Sequence, residues 1–327
     1  MSKGIRDTDY LAISTRIRAM ENGLLSRERV EQLLEARTEE DTEKLLRESG
    51  YPDLDPVRPD AMDAAISALR EEAFRDLADS APDPRYLDFF RVRYDYHNAK
   101  AVVKAQALGT DPAPMPSALG RVPAADLAGD YDSLPGELGP ALREAREILE
   151  TTRDPQLSDI ALERRMYADL RAIAARTGSA FLQGYVRIMI DAENLRALVR
   201  TLRMGRNADF LKGVLLDGGE IDTDGVLAVA SGGSLSDLYA STPLASAAEA
   251  GADAVKGASL TAFEKRCDDA VTDYLTAARF VPFGDAPLVA YLAARETEYT
   301  NLRILLLGRA AGLSADVIRS RLRAGYV

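Results

Sequence analysis

The chain has 327 residues, 41 basic against 52 acidic for a net charge of −11, and a single histidine and a single cysteine. That length suits two or three domains of about 100–150 residues, and the acidic balance disfavours a general nucleic-acid or polyphosphate surface. With only His97 and Cys267, neither an intramolecular disulfide nor a zinc site of the usual nitrogen and sulfur kind can be built, and the cysteine content fits a reducing compartment.

Apolar positions recur at three and four residues almost throughout, and strand-like alternation is scarce, so the expected class is all-α. The first ten residues are polar and carry no stretch of signal-peptide type. In chain order, amphipathic helices are predicted over 8–22, 60–79, 84–108, 160–177, 180–204, 260–279 and 286–308. Proline and glycine cluster at 109–123, 134–140, 218–219 and 282–284 and mark turns. The stretch 109–123, with Asp111-Pro112-Ala113-Pro114-Met115-Pro116, reads as the best linker. After Gly312, Ser314 is an N-cap signal for a last helix running to about Ala324. No run approaches the roughly 18 apolar residues of a membrane span, so membrane association is expected through a partner.

Three of the five asparagines share one local pattern: an acid three residues before, a base two after and a glycine eleven after. The copies are Asp95/Asn98/Lys100/Gly109, Asp191/Asn194/Arg196/Gly205 and Glu298/Asn301/Arg303/Gly312. The asparagines stand 96 and 107 residues apart, too far for a solenoid unit of about 20–50 residues. The chain is therefore read as one helical domain used three times, over 1–108, 109–204 and 205–327. Upstream of each asparagine lies another amphipathic helix, opened by Met62-Asp63, by Leu162-Glu163-Arg164-Arg165 and by Phe263-Glu264-Lys265-Arg266. Ser14 to Met20 is a worn copy of the helix that follows the asparagine.

Gly109, Gly205 and Gly312 read as helix stops, because glycine enters the left-handed conformation without steric cost. Residues three and four apart share a helical face, so Arg91/Asp95/Asn98, Arg187/Asp191/Asn194 and Arg295/Glu298/Asn301 form three polar stripes. Each stripe either fastens neighbouring helices or faces a partner. Catalysis fits poorly, because an active site rarely needs three near-identical copies in one chain. No phosphate-binding loop and no nucleophile with an orienting base is present, and neither cofactor nor metal is expected. A helical scaffold unrelated to any larger machine would share these features. An enzyme using carboxylates and magnesium alone would instead gather acids from different copies inward.

Taken together, Ile190 to Arg196, Arg93 to Lys100, and Pro282-Phe283-Gly284 leading to Asn301-Leu302-Arg303-Ile304 resemble the C-subunit family of the archaeal and bacterial A/V-type ATPases, which is related to the d subunit of the vacuolar ATPase. The ending from Gly312 through Val317-Ile318-Arg319 to Tyr326-Val327 is similar as well, and with Tyr10 to Met20 the resemblance spans the full length. It implies three helical domains about a pseudo-threefold axis, forming a funnel-shaped socket. Such a non-catalytic subunit sits peripherally on the cytoplasmic side, between the membrane proteolipid ring and the central-stalk subunits, and binds neither nucleotide nor ion itself. It would turn with the rotor and couple ion transport to ATP synthesis or hydrolysis.

Overall fold

A computed structural model describes residues 6–111 and 117–327. The proline-rich centre of the predicted linker, residues 112–116, and the first five residues lie outside the described residues. The described chain is all-helical, with no strand. Its α-helices are α1 (Leu11–Glu21), α2 (Arg27–Glu35), α3 (Glu39–Glu48), α4 (Pro59–Ala78), α5 (Arg85–Leu108), α6 (Leu138–Thr152), α7 (Pro155–Thr177), α8 (Ala180–Arg203), α9 (Ala208–Val214), α10 (Thr223–Ala230), α11 (Leu235–Tyr239), α12 (Ala245–Val255), α13 (Leu260–Thr276), α14 (Asp285–Ala310) and α15 (Ala315–Arg319). None is long and apolar enough to cross a membrane.

Local chemistry accounts for many of these boundaries. Ser26, Thr38, Asp154, Ser259 and Ser314 accept hydrogen bonds from the first-turn amides of α2, α3, α7, α13 and α15, satisfying donors that a helix start leaves open. Pro59 and Pro155 occupy first-turn positions, where a missing N–H costs nothing. At the other ends, Gly109, Gly205 and Gly312 take φ of 65°, 63° and 71°. The last helix stops at Arg319, earlier than its sequence suggests, because the backbone of Arg323 is engaged by Asn301.

Packing divides the chain into two compact units. One comprises the described residues up to Pro82 with Asp191–Lys212 and Ile221–Val327; the other comprises Asp83–Ile190 and Gly213–Glu220. In the first unit α1, α2, α4 and α15 pack against α14, or against one another beside it. Leu33, Leu46, Met62 and Ile66 share a core there with Tyr299, Leu302, Leu305 and Ile318. In the second unit α5 and α6 flank α7, and Phe89, Phe90, Tyr96, Leu142, Leu162 and Leu170 are buried.

Candidate functional site

The repeated asparagines lie inside the protein. Asn98, Asn194 and Asn301 sit on α5, α8 and α14; the first two are buried and the third half-buried. Asn98 makes a reciprocal pair with the backbone of Ser117: its Nδ2 donates to the Ser117 carbonyl at 2.8 Å, and its Oδ1 accepts from the Ser117 amide at 2.8 Å. Asn301 does the same with Arg323, at 3.0 and 2.9 Å. A side-chain amide used in this way imitates a strand partner, satisfying one donor and one acceptor of a chain segment that has no helix of its own.

In the first copy the acid works on the same returning segment as the asparagine. Asp95 is fully buried; its Oδ1 accepts from the amides of Arg121 and Val122 at 2.7 and 3.2 Å, and its Oδ2 pairs with the Arg121 guanidinium at 2.6 Å. Asp191 Oδ1 accepts from the Ile221 amide at 3.1 Å. Glu298 differs. It accepts from the Leu25 amide and the Tyr51 hydroxyl and pairs with Arg295 at 2.7 Å, so the third acid holds the N-terminal segment. Its extra methylene relative to Asp95 and Asp191 gives the longer reach. Burial pushes the Asp95 and Glu298 carboxyls up from their ordinary values, against the pull of Arg121 and Arg295 respectively.

Of the leading arginines, Arg295 is engaged by Glu298, by the hydroxyls of Tyr51 and Tyr299, and by the Tyr299 ring 4.8 Å from its guanidinium carbon. Arg91 is half-buried on α5. Arg187 is exposed, with Glu220 at 3.5 Å.

The trailing bases show a regularity that the sequence pattern did not announce. Lys100 pairs with Glu163 of α7 at 3.4 Å, Arg196 with Glu264 of α13 at 2.7 Å, and Arg303 with Asp63 of α4 at 2.7 Å. Those acids occupy corresponding places in the three upstream helices. Each base thus reaches the helix that precedes another of the repeated asparagines: Lys100 that before Asn194, Arg196 that before Asn301, and Arg303 that before Asn98. The junctions are unequal. Arg196, with a side chain 9% exposed, also meets Glu193 and Asp268 at 2.7 Å each, and despite burial these carboxylates hold its pKa above the usual arginine value. Arg303 and Asp63 are 52% and 44% exposed.

Sequence reasoning passed over Asp169, a buried acid of α7. It accepts from the Tyr96 hydroxyl at 3.1 Å and the Glu137 amide at 2.9 Å, and lies 3.4 Å from Arg121. The available signal was Gly136, whose left-handed φ of 63° brings the backbone against that carboxylate with no room for a Cβ. His97 is exposed, and Cys267 is buried, its thiol pushed up to about 12 chiefly by desolvation. Among the described residues no group of three or more histidine, cysteine, aspartate or glutamate side chains is placed to hold a metal.

In this arrangement carboxylates and side-chain amides hold irregular segments against three long helices, and each trailing base pairs with an acid of a neighbouring helix. Comparison with known proteins agrees with the resemblance read from the repeats. The chain is 25% identical to the C subunit of the V-type sodium ATPase of Enterococcus hirae, over 97% of this chain and 99% of that protein. It is 25% identical to the C subunit of the A-type ATP synthase of Methanocaldococcus jannaschii, over 96% and 86%, and 27% identical to that of Thermococcus kodakarensis, over 95% and 90%. The family model described as ATP synthase (C/AC39) subunit matches residues 13–321, and the chain belongs to that family.

Proposed function

We propose that the protein is the non-catalytic socket of a rotary A/V-type ATPase, receiving the central stalk on one side and resting on the membrane proteolipid ring on the other. The observation that carries this reading is the near-complete match to C-subunit relatives. Three helical copies, 1–108, 109–204 and 205–327, belong to the proposal. So does a place at the cytoplasmic face of the membrane, held there by partners. Transmitting torque requires stiffness, and the fastenings described above supply it: long helices, reciprocal amide pairs and a charged junction between successive copies. The repeated asparagines and acids then act as internal ties, while the stalk and the ring meet other surfaces.

The test is purification of the intact membrane complex through a tag on this chain. Stalk and proteolipid subunits are expected in the same particle, in fixed proportion. A chain that is recovered from solubilised membranes free of both would overturn the reading.

A further inference from the structure

At the α7–α8 corner, within the second unit, lies an open cavity of about 520 Å³, a size usual for a binding pocket. Ala168, Ala172 and Ala175 form one wall; four and three residues apart on α7, they lie along a single stripe. Arg171 stands on the same face. Its Nη1 donates to the Asp217 carbonyl at 3.1 Å, and its guanidinium lies over Gly218, where a Cβ would collide with it. Gly218 has a φ of 95°, so the loop is shaped to hold this side chain in place. That hydrogen bond goes to a backbone carbonyl, and among the described residues no carboxylate comes within ion-pairing distance of Arg171. The other cation of the lining, Arg187, has the long contact to Glu220, with the two side chains 49% and 75% exposed, a pair weakened by solvent. The charged groups lining the cavity are thus both positive, on a chain whose net charge is −11.

We propose that this corner docks an acidic helical segment of a partner protein. The alanine wall admits a helix at the near end of the usual 8–10 Å interaxial range, and the fixed Arg171 fork, with Arg187 beside it, receives that helix's carboxylates. The charge of the lining selects an acidic occupant, and the absence of bulk on α7 selects a helix over an isolated anion. The proposal rests on the ATPase reading, in which the occupant is a segment of another subunit of the complex.

A photo-crosslinking benzoylphenylalanine at Gln183, which also lines the cavity, reads the contact in the assembled complex. Crosslinking to an acidic segment of another subunit is expected. Arg171→Glu should reduce the yield about tenfold or more, as for loss of one partner of a desolvated charge pair, while the isolated variant melts as the wild type does. Arg171→Lys, which keeps the charge and loses the fork, should fall between. A crosslink to a basic segment, to lipid or only within this chain overturns the proposal, as does an unchanged yield in Arg171→Glu. No crosslink in a complex that contains the chain also overturns it, leaving the ATPase reading intact; failure of the wild-type chain to join the complex removes both.

Discussion

The reciprocal pair between Asn98 and Ser117 is a small device with a large dependence on both halves. Replacing Asn98 by leucine leaves the Ser117 amide and carbonyl without their partners in a half-buried place, each costing about 1–3 kcal/mol. Asn98→Leu is expected to lose about 2–4 kcal/mol in urea unfolding; a change below about 0.5 kcal/mol, the size of an inert surface substitution, would argue that the pair carries no stability. Cys267 offers a second residue-scale test. Buried beside Arg196, its thiol is nonetheless pushed up to about 12 by desolvation, so almost no thiolate exists near neutrality. Ellman's reagent under mildly alkaline conditions should label the native protein not at all and the urea-unfolded protein fully. Rapid labelling of the native form would show that the α13 core opens readily.

At the scale of elements, the three junctions between a trailing base and an acid of another helix share a plan and differ in exposure. Arg196 joins α8 to α13 through the carboxylates of Glu264 and Asp268, also meets Glu193 of its own helix, and is nearly enclosed. Arg196→Ala leaves those acids facing one another and is expected to cost about 2–4 kcal/mol, below the full value of a wholly buried pair because the carboxylates keep some solvent. Arg303→Ala, at the exposed junction of α14 with α4, should cost under about 1 kcal/mol. Parallel urea titrations check the ranking, and equal losses would contradict it. The long helices were legible in the sequence because apolar spacing, first-turn prolines, cap residues and stop glycines agree there. Helices α2, α3 and α9 to α12 were not assigned, since each is too brief for periodicity to rise above its neighbours, and α6 was missed because its first turn falls in the proline- and glycine-rich stretch 134–140 that reads as a turn. The site was legible only in part. The pattern marked Asp95, Asn98 and Lys100 as a set, but their partners Ser117, Arg121 and Glu163 lie in a segment read as linker or on a helix one copy away, and no local signal joins them.

The first unit, the larger part of the molecule, is held together by long-range ties. Leu33, Leu34, Leu46 and Tyr51 share a core with Tyr299, Leu302, Leu305 and Ile318, and Glu298 seals it by holding Leu25 and Tyr51. A chain lacking residues up to Asp55 would expose that face of α14 and unseat Arg295 and Glu298 in an apolar setting. Such a deletion is expected to be insoluble, and coexpression of the missing segment as a separate chain should restore soluble protein containing both pieces. Soluble, cooperatively unfolding material from the deletion alone would show that the first unit does not need its N-terminal helices.

The tie from Leu25 to Glu298 also sets a clock. The two residues are 273 positions apart, and a ribosome adding about 5–20 residues per second needs roughly 14–55 seconds to travel from one to the other. Through that interval the apolar faces of α2 and α3 exist without α14. Protease resistance of the N-terminal helices should therefore emerge only after α14 has left the ribosome, as pulse-labelled chains can show. The contact that closes the first unit is thus among the last that the growing chain can make.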